Sequence, residues 1–189
     1  MRHRWSFSNH IGAPLIEGLI FVHNALVGYS LRSNIKIFAS GKVASGFAIL
    51  KRVAIGADVI MSARAMMMAI GCIQALKCNS NHCPVGVATQ DEYLMAGLDP
   101  TDKSVYVASY HKQTIYRLAE MLRALGLDSA QDLRPWHLMH RVSATETRHY
   151  GELCHFLQDG DLLRDSLPID FARACHSASA ETFSHCETA

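Results

Sequence analysis

Cys72, Cys78 and Cys83 fall within one stretch, GCIQALKCNSNHCPVGVATQ, with five residues between the first pair and four between the second. Thiolate is a soft donor. Three thiolates supplied by one short segment suit an iron–sulfur cluster or another thiophilic metal. Two plainer readings stand beside this one. Cysteine is among the most buried residue types and can simply pack. The trio could also hold zinc with His82, although neither interval reads cleanly as the short pairs that zinc sites use.

Two further segments could hold an anion. Ser40-Gly41-Lys42 ends an apolar β-rich run, and Ser45-Gly46 follows at a helix start. Glycine permits close backbone approach, and free N–H groups at a helix start favour phosphate. An ordinary strand-to-helix turn would look the same. Ser62-Ala63-Arg64 ends a second run, and Arg64 is the one charge between Asp58 and Lys77. An arginine on the buried side of such a segment seeks phosphate or carboxylate, or a structural acid partner. In parallel α/β folds ligands bind at the carboxyl ends of strands.

The elements that must position these loops are legible in part. Residues 13–29 read as a helix with Leu15, Leu19, Val22 and Leu26 on one face. Ile35–Ala39 is a short strand, 45–55 a helix stopped by Gly56, and Asp58–Met61 a second strand followed by a helix to about Leu76. Strand–helix–strand–helix order signals parallel α/β architecture. The loop Lys77–Gln90 has no periodicity and is long for a compact domain, a mark of function or disorder. Residues 102–125 are an amphipathic helix whose apolar face is Val105, Ala108, Ile115, Leu118, Leu122 and Leu125. Short helices and turns are expected over 129–165, then a weakly amphipathic Ala/Ser/His-rich tail from Pro168.

Composition bounds the rest. The 189 residues are 49% hydrophobic and 19% charged with net charge +1, which suits one globular domain and gives no broad field for nucleic acid or anionic membrane. No apolar leader opens the chain, and the uncharged stretch Ala65–Leu76 is far below the ~20 residues a bilayer needs. The expectation is a cytoplasmic chain without disulfides, in which clustered thiols serve metal or redox chemistry. Cys154, Cys175 and Cys186 stand apart and read as incidental, Met66-Met67-Met68 as helix packing, and His10, His23, His82 and His111 as structural histidines. No Ser/His/Asp set or paired carboxylates is evident.

The strings SNHIGAPLIEGL, ASGKVASG, IGADVIMSAR and GCIQALKCNSNHCPVGVATQ, in that order, resemble the FMN-binding domain of glutamate synthase, closest to stand-alone bacterial glutamate synthase-like proteins. The likeness runs from residue 6 to about 150. It implies a (β/α)₈ barrel, of which this chain would be the carboxyl-terminal part: the last two strand–helix units with the cysteine loop over 1–98, then a mostly helical extension of the same domain over 99–189. It implies that Cys72, Cys78 and Cys83 ligate a 3Fe-4S cluster. It also implies that the FMN phosphate lies on Ser40, Gly41 and Lys42 and on Ser62, Ala63 and Arg64.

The implied chemistry is reductive formation of glutamate from 2-oxoglutarate and ammonia or glutamine-derived nitrogen. The cluster would relay electrons to FMN from ferredoxin or a pyridine-nucleotide-linked subunit. The resemblance names no catalytic acid or base here. A full barrel takes ~250 residues, and relatives carry a GGTGA-like segment where this chain has MRHRWSF. The chain by itself is therefore expected to bind FMN poorly and to lack activity. The alternatives are an inactive fragment, a zinc protein, or a cluster-binding subunit whose partner chain supplies the remaining strands.

Overall fold

The computed structural model describes residues 12–182. His10, Cys186 and the start of the SNHIG string lie outside them. The chain divides into two compact units: residues up to 36 with those from Cys154 onward, and Ile37–Leu153. The boundary expected at 98/99 falls inside the second unit.

In the first unit, α1 (Leu15–Gly28) buries Leu19, Ile20, Asn24 and Gly28. This face shares Leu19 with the expected one and leaves Leu26 half-buried, but Leu15 and Val22 are exposed. The rotation follows from a polar anchor. Asn24 is 2% exposed, its Nδ2 donates to the His155 carbonyl at 2.7 Å, and its Oδ1 accepts from the Leu157 amide at 3.0 Å. A buried amide must find such partners, so the helix turns Asn24 inward and Val22 outward. Leu157, Leu162 and Phe171 form the apolar cluster beside it. Phe171 comes from a helix in the tail, Ile169–Ser177, and its ring stacks on Phe21 at 5.2 Å.

The second unit contains the parallel pair. β1 (Phe38–Ser40) and β2 (Val59–Met61) run side by side with Phe38 opposite Val59 and Ser40 opposite Met61. Between them lies α2 (Gly46–Ala54), and after them α3 (Arg64–Ile70). The two strands start one to three residues later than the expected ones. One face of the pair is buried at Ala39; the other leaves Phe38 at 62% exposed and Met61 at 53%. Asp58 Oδ2 accepts from the Ile37 amide at 2.8 Å and holds the two strands together at their start.

α3 ends at Ile70, six residues before the expected Leu76, because Gly71 takes a left-handed φ of 112° and closes the helix. Cys72 therefore begins a loop instead of riding a helix. Two helices follow that loop: the short α4 (Glu92–Met95) and the long α5 (Pro100–Ala124).

α5 packs on α2 and α3, but none of its residues is fully buried. Leu118 and Leu122 are half-buried as expected. Val105 at 66% and Ile115 at 44%, with Ala108 and Leu125, are exposed, while Val107, Tyr110 and Thr114 turn inward. At Gly46 the contact is close. A Cβ there would meet the Leu118 nitrogen at 2.7 Å and the Thr114 oxygen at 2.9 Å. The region expected to hold only helices and turns also contains an antiparallel hairpin, β3 (Met139–Arg141) with β4 (Thr147–His149).

Candidate functional site

The loop after β1 is held from three sides. Ser40, Gly41 and Lys42 are exposed, and the backbone at Gly41 and Lys42 has φ of 133° and 51°. A left-handed lysine is uncommon and must be imposed by its surroundings. Those surroundings are Arg52, Ser62 and Tyr110. Arg52 Nη2 donates to the Gly41 carbonyl at 2.6 Å, Ser62 Oγ to the Val43 carbonyl at 2.7 Å, and Tyr110 Oη to the Ala44 carbonyl at 2.9 Å. Ser62 thus ties the second candidate loop to the first.

Ser45 caps α2, its hydroxyl accepting from the Ala48 amide at 3.2 Å. One of the free N–H groups expected to meet phosphate is thus already occupied. Gly46 is explained by its contact with α5 and needs no ligand. Ala63 caps α3 without a side-chain bond, and Arg64, the first residue of that helix, is exposed. The buried arginine is Arg52, 8% exposed.

Sequence reading passed over Arg52. Its Nη1 and Nη2 reach the Ala48 and Gly41 carbonyls, each at 2.6 Å, and its Nε has no partner. Burial lowers its pKa, and among the described residues no carboxylate opposes the shift. Arg52 sits four residues after Ala48 and three before the fully buried Ile55, so helical spacing alone could have placed it on the covered face. A guanidinium without a counter-ion makes the back of the Gly41 loop electropositive, and that suits an anion in front.

The three thiols differ in setting. Cys72 is half-buried and its sulfur accepts from the Gln74 amide at 3.4 Å; Cys78 is exposed; Cys83 is 7% exposed. Backbone amides of Ala88 and Val85, then Val87 and Gly86, face the Cys83 sulfur and pull its pKa down, against the opposing effect of burial. A thiolate is thereby favoured. By donor type the set fits a thiophilic cluster. Among the described residues, however, no three His, Cys, Asp or Glu side chains are gathered to hold a metal ion. The convergence expected of Cys72, Cys78 and Cys83 is therefore not displayed, and the same holds for a zinc site with the exposed His82. Cys154 and Cys175 are half-buried in the other unit.

These features define a parallel strand–helix unit with two linked loops at its strand ends and a cysteine-bearing loop after them in the chain. The conserved region in glutamate synthase matches residues 3–128, and the chain belongs to that family. It is 36% identical over 151 residues to the glutamate synthase large subunit-like protein YerD of Bacillus subtilis, covering 80% of this chain and 29% of the relative. It is 34% identical over 128 residues to the archaeal glutamate synthase (NADPH) of Methanocaldococcus jannaschii, 68% of this chain and 25% of that one. The ferredoxin-dependent glutamate synthase 1 of Arabidopsis thaliana is 33% identical over 145 residues, 74% of this chain and 9% of that one. The chain thus spans less than a third of the length of these relatives. No helix among its described residues is long and apolar enough to cross a membrane.

Proposed function

We propose that this chain carries the flavin-phosphate and cluster-binding portion of a glutamate synthase, acting in the cytoplasm on 2-oxoglutarate and glutamine-derived nitrogen. The observation that carries the reading is the family match across residues 3–128, which includes both candidate loops and the cysteine loop. The FMN phosphate would rest on Ser40, Gly41 and Lys42 and on Ser62, Ala63 and Arg64; Arg52 braces the first loop from behind. Cys72, Cys78 and Cys83 would ligate a 3Fe-4S cluster. Bound there, FMN supplies hydride transfer and the cluster single-electron relay.

The chain's own part is to fix these loops. Ser62 joins them, Tyr110 and Arg52 hold the turn, and the amides around Cys83 favour the ligand form of its thiol. The parallel pair would belong to a (β/α)₈ barrel. Its uncovered face at Phe38 and Met61 supports further strands packing there, from this protein or a partner chain. Relatives named as ferredoxin-dependent and as NADPH enzymes support an electron donor of one of these kinds.

The test is to isolate the protein from its own host with whatever chains accompany it, then measure released FMN and glutamate formed from 2-oxoglutarate and glutamine. Flavin together with reductant-dependent glutamate formation is expected. A folded native preparation with neither would overturn the reading.

A further inference from the structure

The second half of the cysteine loop is closed by a polar clasp. Asn81 has φ of 62°, a left-handed conformation that asparagine tolerates better than most residues. The Thr89 hydroxyl donates to the Asn81 carbonyl at 2.7 Å and lies 3.2 Å from Asn81 Oδ1. That Oδ1 accepts from the Gln90 amide at 2.6 Å, and Thr89 Oγ1 in turn accepts from the Asp91 amide at 3.0 Å. Thr89 is itself buried. Asp91 then caps α4 by accepting from the Tyr93 and Leu94 amides at 3.0 and 3.2 Å. The same helix presses on the turn. A Cβ at Gly86 would meet the Leu94 carbonyl oxygen at 2.6 Å.

Residues 83–88, with the buried Cys83, lie inside this ring. Cys72 and Cys78 lie outside it, which matches their greater exposure. We propose that Asn81 and Thr89 are positioning residues that hold Cys83 in its buried turn before any metal binds, making it the fixed anchor of the loop. That this anchor serves a cluster rests on the function proposed above; the clasp itself does not.

The test measures the carboxamidomethylation rate of each cysteine by peptide mass spectrometry in the reduced, metal-free full chain. In the wild type Cys78 should react fastest and Cys83 slowest. In Thr89→Val the Cys83 rate should rise at least about tenfold, since the substitution removes both the bond donated to the Asn81 carbonyl and the bond accepted from the Asp91 amide. Cys72 and Cys78 should stay within about twofold, and Thr89→Ser should restore slow reaction at Cys83. An unchanged Cys83 rate overturns the proposal, and so does equal acceleration of all three thiols, which would make Thr89 a support of the fold at large. Hydrogen exchange on the wild type gives a second check: the Gln90 amide should be protected, and a freely exchanging one overturns the clasp. Wild-type chain that takes up no iron while keeping this alkylation pattern would refute the cluster reading and leave the clasp standing.

Discussion

Gly46→Ala separates two explanations of one glycine. If Gly46 lets a phosphate approach the start of α2, adding a methyl should leave the unfolded–folded balance nearly unchanged and weaken anion binding. The structure instead puts α5 against it. The new Cβ would sit 2.7 Å from the Leu118 nitrogen and 2.9 Å from the Thr114 oxygen. Both are main-chain atoms of a continuous helix, so no rotamer change relieves the clash. Overpacking of this kind costs about 1–3 kcal/mol. The higher helix propensity of alanine returns less than about 1 kcal/mol, leaving a net loss of about 1–2 kcal/mol. For a chain of this size that is a fall in Tm of roughly 2–8 °C. Thermal and urea unfolding of the full chain would measure it, and trimming the Leu118 side chain to alanine should bring no rescue. A Gly46→Ala protein as stable as wild type would refute the packing account.

Outcomes at three other positions follow from the same reasoning. Asn24→Ala should destabilise the unit that holds α1 by about 2–4 kcal/mol, since it strands the His155 carbonyl and the Leu157 amide in a buried setting; faster exchange of the Leu157 amide reports it directly. Arg52→Lys should cost about 1–2 kcal/mol, because one ammonium cannot reproduce the forked bonds to Gly41 and Ala48. Arg52→Met should cost more than Arg52→Lys, as it leaves the Gly41 carbonyl with no donor from this side chain; the reverse order of urea midpoints would contradict that view. Asp58→Asn should weaken the bond to the Ile37 amide by about 1 kcal/mol, read from the same urea midpoints.

The parts of the fold that could be read from sequence are those whose signals are local. Ser45 and the spacing after it gave α2, and two short apolar runs gave β1 and β2 within a few residues. α3 was overrun because Ala65–Leu76 carries no charge and the stop lies in the backbone of Gly71. The apolar stripe of α5 was visible, yet the side that faces inward is chosen by α2 and α3. Those helices press on Tyr110 and Thr114 and leave Val105 outside. The hairpin β3–β4, MHR with TRH, has no apolar alternation to announce it. At the candidate site, residue types marked the loops but not what shapes them. The hydrogen bonds that shape them, from Arg52, Ser62, Tyr110, Asn81 and Thr89, join residues 8–66 positions apart and could not be read from spacing.

The central claim is that the thiols of Cys72, Cys78 and Cys83 hold inorganic iron. It is tested most directly by iron and acid-labile sulfide analysis, with electron paramagnetic resonance, on protein isolated without oxygen. The account predicts iron and sulfide in the wild type, with a cluster signal that disappears in each of Cys72→Ser, Cys78→Ser and Cys83→Ser. Zinc in place of iron, or iron retained unchanged in all three variants, would contradict it.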